Sequence, residues 1–167
     1  MILIGIGSNL NSTFGDRFKN IDLSIKYLEK ENLKILKKSS YYETPSYPNQ
    51  DNPKFINVVI SIDSDVTFEN LISKTINIEE ILERKKGIRN DPRTCDIDII
   101  DFNKKVFQKS YKNLEYQVPH KSLKLRNFVL YPLQEIDPNW KHPGTNEDIN
   151  YLIQKLHQND KKSILKL

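Results

Sequence analysis

Phe55-Ile56-Asn57-Val58-Val59-Ile60-Ser61-Ile62 is the clearest strand signal in this chain. β-Branched and aromatic residues dominate it, as they do on a pleated, buried surface. Asn57 is the odd polar residue, and it shares a strand face with Phe55, two positions away. Just upstream stands Thr44-Pro45-Ser46-Tyr47-Pro48-Asn49-Gln50-Asp51-Asn52-Pro53. Three prolines among turn-forming residues make this an irregular loop, of a length often tied to function. Before the loop, Leu33, Ile35 and Lys37 begin a second strand, which residues 39–43 continue. Further back, Phe18, Ile21, Ile25 and Leu28 recur at spacings of three and four, predicting a helix through about residue 31 with Asp16 as its cap. The chain starts with Ile-Leu-Ile-Gly-Ile at residues 2–6, a short apolar run suited to a central strand. Gly5 and Gly7 there permit close backbone approach at the strand end.

On the other side, Thr67 caps a second helix with Glu69 in its first turn. Leu71, Ile78 and Leu82 make its stripe, with Thr75 and Ile81 beside it. Glu79, Glu80 and Glu83 are placed to pair locally with Arg84, Lys85 and Lys86. A basic loop over residues 84–93 leads into Cys95-Asp96-Ile97-Asp98-Ile99-Ile100, which alternates as a strand. The order is therefore βαββαβ, the ferredoxin-like plan of an α+β domain. It predicts a mainly antiparallel sheet with both helices on one face. The opposite face, carrying Phe55, Asn57, Asp96 and Asp98, is left for the long loops to cover. After Phe102 a hairpin follows, while residues 108–117 carry no clear pattern. Val118-Pro119-His120 opens a short loop, and Leu123, Leu125 and residues 128–130 return to the core. Pro132-Leu133-Gln134-Glu135-Ile136-Asp137-Pro138 reads as a short helical turn bracketed by prolines. Trp140 anchors the tail by packing, and residues 146–157 form a last helix with Ile149, Leu152, Ile153 and Leu156 inward.

Chemistry concentrates on the Asp96–Asp98 strand. Alternation sends Cys95, Ile97 and Ile99 to one face and both carboxylates to the other, roughly 7 Å apart. Such a pair fits two descriptions: the solvated face of an edge strand, or a cation site. Mg²⁺ is held by one or two carboxylates completed by substrate phosphates, and the cationic loop alongside suits phosphate.

Bulk properties set the frame. The 167 residues fit one domain, 1–167, with a substantial core. A net charge of +4, spread along the chain, is a mild attraction for anions and not the mark of a dedicated nucleic-acid binder. One cysteine allows no intrachain disulfide, and Cys95 on the inward face is expected to be a buried, inert thiol. No apolar run reaches the roughly 20 residues of a membrane span, and the start lacks a basic n-region. A cytoplasmic protein is the expectation.

Several stretches together resemble one family. Gly7-Ser8-Asn9-Leu10, Tyr42-Glu43-Thr44-Pro45, Phe55-Ile56-Asn57, Pro92-Arg93-Thr94-Cys95-Asp96-Ile97-Asp98-Ile99 and Val118-Pro119-His120, with Arg126 and Phe128, are similar to 6-hydroxymethyl-7,8-dihydropterin pyrophosphokinases of folate biosynthesis. The likeness runs in order from residue 2 to about residue 143; residues 144–167 carry no recognised motif and are expected to be a helical extension. The resemblance implies transfer of pyrophosphate from ATP, the co-substrate, to the hydroxymethyl group of the pterin, with AMP released. It implies two Mg²⁺ ions at Asp96 and Asp98, and Arg84 and Arg93 on phosphate oxygens. It puts Glu79, His120 and Arg126 on the nucleotide side. For the pterin it implies a sandwich between Phe55 and Phe128, edge recognition by Asn57, and backbone contacts from Thr44, Pro45 and Tyr47. The loop departs from the common pattern, with Arg89-Asn90-Asp91-Pro92-Arg93 where many members carry Arg-Trp-Gly-Pro-Arg. At 167 residues no fused second enzyme of the pathway is expected, a separate chain being free to associate, and protein partners are not legible. A nucleic-acid-binding module would need an aromatic-rich segment of the Lys/Arg-Gly-Phe/Tyr type, which is absent. A two-metal nuclease would need more acidic or histidine ligands near Asp96 and Asp98.

Overall fold

The computed structural model describes residues 1–85, 87 and 90–167. Strand β1 (Ile2–Ser8) is followed by helix α1 (Arg17–Lys30), strands β2 (Lys34–Lys38), β3 (Tyr42–Thr44) and β4 (Phe55–Asp63), helix α2 (Phe68–Ile81) and strand β5 (Asp96–Phe102). In the sheet, β5, β1, β4 and β3 are successive neighbours, β2 also pairs with β4, and the pairings are antiparallel. This is the ferredoxin-like arrangement expected from βαββαβ. Asp16 caps α1 by accepting from Lys19 N at 2.9 Å, and Thr67 caps α2 by accepting from Asn70 N at 3.3 Å. Each satisfies an amide that the first turn leaves without a partner.

Two cores lie on the two faces of the sheet. Ile2, Ile4, Ile6, Val58, Ile60, Ile97 and Ile99 meet Ile21, Leu28, Leu71 and Ile78 of α1 and α2. Leu3, Val59 and Ile100 point the other way, toward helices α3 (Asn127–Ile136) and α4 (Ile149–Lys155). The far face is therefore not left to loops alone: α3 and α4 cover one end of it. The expected short turn at residues 132–138 is instead the end of α3, which runs through Pro132. A proline inside a helix costs about 3 kcal/mol, because it removes one amide bond and crowds the preceding turn. Burial of Val129, Leu130, Leu133 and Ile136 offsets that cost, each such side chain contributing about 1.5–3 kcal/mol.

Three further elements differ from expectation. The second strand is split: Lys38 lies opposite Ile60 and Tyr42 opposite Asn57, so four steps on one strand match three on the other. Ser39 fills the resulting bulge, its Oγ accepting from Val59 N at 3.0 Å. The hairpin after Phe102 spans β6 (Phe107–Tyr111) and β7 (Leu114–Val118), a separate two-stranded sheet. Its turn residues Lys112 and Asn113 have φ of 48° and 64°, the pair of positive angles that a tight hairpin needs. The last helix stops at Lys155, and a short helix α5 (Gln158–Lys162) and strand β8 (Leu165–Lys166) follow, β8 adding itself to β3.

Glu135 of α3 ties these outer elements together. Its carboxylate accepts from Tyr42 Oη and Ser40 Oγ, each at 2.8 Å, and lies 3.4 Å from Lys166 Nζ. Burial raises this carboxyl, but the bonds from Tyr42 and Ser40 outweigh it and hold it below the usual range. A folded value below the unfolded one means the contribution is present above the ordinary carboxyl value and is lost as pH falls through the lowered one. The melting-temperature gap between wild type and Glu135→Gln should therefore shrink as pH falls from about 7 toward about 3. A gap independent of pH would show that the charge contributes nothing.

Candidate active site

The central strand sets the geometry of the uncovered part of the far face. Gly7 on β1 lies opposite both Asn57 on β4 and Asp96 on β5, and Gly5 lies opposite Val59 and Asp98. Two side-chain-free positions thus form the floor between the β4 and β5 groups. A Cβ on Gly7 would come within 3.1 Å of Asn57 Oδ1 and 3.5 Å of Phe55 Cδ1. Gly7→Ala should accordingly displace the Asn57 amide and weaken ligand binding in this cleft while the protein still folds; unaltered binding would show that Asn57 gives way freely.

A cavity of about 830 Å³ opens over this floor. Thr44, Pro45 and Tyr47 of the long loop border it, with Phe55 and Asn57 of β4. Arg93, Asp96 and Asp98 border it from the β5 side, and Arg126 and Phe128 from the start of α3. Asn57 Nδ2 donates to Thr44 Oγ1 at 3.0 Å. Its donor side is therefore engaged within the protein, and its oxygen is the group left for a ligand.

The carboxylates carry cations. Asp96 accepts from Arg84 Nη1 at 2.7 Å and from Arg93 Nη2 at 2.5 Å, and Asp98 accepts from Arg126 Nη1 at 2.6 Å. Burial pushes the Asp96 carboxyl up, and Arg93 and Arg84 outweigh it, so the group lies below the usual range. The same arginines stack on the aromatics: the Arg93 guanidinium is 5.0 Å from the Phe55 ring centre, and that of Arg126 is 5.4 Å from the Phe128 ring centre. Glu79 pairs with Arg84 and accepts from Ile97 N at 2.7 Å. Burial pushes its carboxyl up to about 7, with Arg84 opposing. Glu79 is thus a support beneath Arg84 and the β5 backbone more than a surface charge. Glu83, expected to pair along the helix, accepts from Thr13 N at 2.9 Å, and the nearby Lys85 also favours its charged form. Of the basic loop, Lys86, Ile88 and Arg89 lie outside the described residues.

Behind Asp98 is a second cavity of about 220 Å³, bordered by Ile97, Ile99, Tyr116, His120 and Lys121. Asp98 lines both cavities. His120 is placed there by its backbone N, which donates to Ile100 O at 3.1 Å. Burial lowers its basicity, with Asp98 opposing.

The family model described as 7,8-dihydro-6-hydroxymethylpterin-pyrophosphokinase (HPPK) matches residues 3–138. The chain belongs to the HPPK family. An HPPK relative from Aquifex aeolicus, named 2-amino-4-hydroxy-6-hydroxymethyldihydropteridine pyrophosphokinase, is 34% identical over 142 residues, covering 85% of this chain and 83% of that protein. The folic acid synthesis protein fol1 of Schizosaccharomyces pombe is 32% identical over 154 residues, covering 92% of this chain but 20% of its own length. The chain thus spans about a fifth of the length of its fol1-type relatives. Among solved structures, wild-type Plasmodium falciparum HPPK-DHPS superposes with a TM-score of 0.70 at 15% identity, covering 92% of this chain and 44% of that one. That likeness speaks for the HPPK fold alone.

The sequence-expected residues converge on β5 and its surroundings, either lining one of the two cavities or, for Arg84 and Glu79, bonded to Asp96 and the Ile97 amide of β5. Reading the sequence missed Asn9 and the tail. Asn9 Oδ1 accepts from Arg93 N at 2.6 Å, while its Nδ2 donates to Ser46 Oγ at 3.2 Å and Pro53 O at 3.0 Å. One buried amide thus joins the loop carrying Arg93 to the proline-rich loop. The Gly-Ser-Asn-Leu segment was its only sequence signal. Residues 159, 160, 162 and 163 line the larger cavity with no sequence signal at all.

Cys95 meets its expectation. It is buried, Ser24 Oγ lies 3.2 Å from its Sγ, and burial pushes the thiol up to about 12. Among the described residues no helix is long and apolar enough to cross a membrane.

Proposed function

We propose that this chain transfers the terminal pyrophosphate of ATP to the hydroxymethyl oxygen of 6-hydroxymethyl-7,8-dihydropterin, a step of folate biosynthesis. The observation that carries this reading is the position of Asp98 at the junction of the two cavities. The larger cavity, with two aromatic rings and an amide oxygen, suits a flat ring with polar edges. The smaller one, apolar on Ile97 and Ile99, suits a nucleotide base, with His120 near its phosphates. The acceptor's alcohol oxygen bonds to the β-phosphorus, the bond from that phosphorus to the bridging oxygen breaks, and AMP leaves with the bridging oxygen.

The nucleophile is neutral and the electrophile a polyanion, so positioning and charge neutralisation are the tasks of the protein. Arg84, Arg93 and Arg126 present planar forks that match phosphate oxygens. Phe55 and Phe128 hold the ring, Asn57 accepts from its edge, and Thr44, Pro45 and Tyr47 border it. Asp96 and Asp98 fit Mg²⁺: both are hard oxygen donors on one strand face, already compensated by positive groups, with substrate phosphates to complete the shell. Two ions are proposed there; when bound they screen phosphate oxygens and lower the alcohol's pKa.

The direct test is AMP release from Mg-ATP with and without the pterin. Pterin-dependent AMP, lost in EDTA, is the expected result; ADP in its place would mean a different transfer. Phe128→Ala should raise the pterin dissociation constant by about tenfold, as loss of a stacking face does, and affect ATP much less. Equal effects on both ligands would make Phe128 a packing residue.

A further inference from the structure

The family match ends at residue 138, yet the segment at residues 158–167 reaches the larger cavity through Asn159, Asp160, Lys162 and Ser163. It is fastened at both ends. Asn127 Nδ2 donates to Asp160 O at 2.7 Å and to Ser163 Oγ at 3.1 Å. The same side chain accepts from Phe128 N at 2.7 Å through Oδ1. Asn127 is buried, so these bonds form away from competing water. Past α5 the chain returns to the sheet, where Leu165 and Lys166 lie opposite Glu43 and Tyr42, and Leu167 N donates to Tyr41 O at 2.9 Å. The strap thus grips the residue before Phe128 at one end and the strand carrying Thr44 at the other.

We infer that residues 158–167 are a working wall of the acceptor site, with Lys162 as the group that contacts the flat ring. This rests on the pterin reading of the cavity. The chemistry is complementary: Asn57 has committed its donors to the protein and offers an oxygen, whereas a pterin edge also carries a carbonyl oxygen that needs a donor. The Lys162 ammonium brings three. The strap thereby sets specificity on the pterin side and leaves the nucleotide cavity, which it does not line, untouched.

The test uses the full chain carrying Lys162→Cys. Cys95 is 1% exposed, so a charged thiol reagent reports on position 162. Pterin binding to wild type, followed by the ligand's own fluorescence, comes first. Saturating pterin should slow modification several-fold, and the finished adduct should raise the pterin dissociation constant by about tenfold or more. Equal modification rates with and without saturating pterin, together with unchanged pterin affinity after modification, would overturn the inference while leaving the proposed function intact. Absence of pterin binding to wild type would overturn both. Asn127→Ala supplies an independent reading: a rise in KM for the pterin with kcat retained supports the strap, and a fall in kcat alone counts against it.

Discussion

Asp98→Ala and Asp96→Ala should each reduce pterin-dependent AMP release by about a thousandfold or more, the scale seen when a preorganised charge at the reacting centre is removed. The two carboxylates project from one face of β5, and the Gly7 and Gly5 floor keeps that face open. Neither side chain belongs to either apolar core, so cooperative unfolding should survive the change. The two variants differ in what they leave behind. Without Asp96, Arg84 and Arg93 both lose their acceptor there, and Arg84 keeps Glu79. Without Asp98, Arg126 is the cation released among the described residues, at the point where the cavities meet. Asp98→Asn, which keeps the shape and removes the charge, should fail nearly as badly. EDTA should remove wild-type turnover to the same level. Turnover unchanged in either alanine variant would end the assignment of these carboxylates to the cation.

The largest stability effect is expected at Trp140, which stands outside the family-matched segment. It is 1% exposed, packs among the α3 and α4 side chains, and donates from Nε1 to Asp101 Oδ2 at 2.9 Å. Trp140→Ala should cost about 3–5 kcal/mol through the cavity it leaves. Trp140→Phe keeps much of the apolar volume but strips the indole donor from a buried carboxylate, at a cost of about 1–3 kcal/mol. Burial already pushes the Asp101 carboxyl up, with Trp140 and Lys104 N holding it back. Chemical denaturation followed by circular dichroism measures both, since the change removes the sole tryptophan. A Trp140→Phe midpoint equal to that of wild type would show that the indole bond is energetically idle.

The parts of the fold readable from sequence are those where one local rule and the packing agree. The alternation at residues 55–62 and 95–100, the stripes of α1 and α2, and the caps at Asp16 and Thr67 all specify the same central sheet. The parts misread are those where one signal overrode another. Pro132 reads as a break, but the apolar side chains around it are buried deeply enough to carry the helix through. Ser39 reads as continuing strand, but its hydroxyl takes a sheet amide and makes a bulge. Strand β8 has two residues, too few for any period to show. In the candidate site, the Asp-x-Asp pair was legible from strand alternation, whereas Phe55, Phe128 and His120 were picked out only by the family resemblance. Asn9 and Asn127 were not legible, because their bonds join residues far apart in sequence.

The lateral pairing of the sheet bears on how the protein behaves in concentrated solution. β3 has β4 on one side and only the two residues of β8 on the other. A strand edge with unpaired amides and carbonyls is a template for a neighbouring molecule. Next to it, β2 carries Lys34, Lys37 and Lys38, a lysine-rich edge of the kind that discourages pairing, with Lys37 Nζ donating to Ile136 O and Lys38 Nζ paired with Asp22. β3 has no such run of lysines, so its protection is β8. Proteolytic clipping before β8 would expose that edge, and the clipped protein should self-associate more readily than the intact protein.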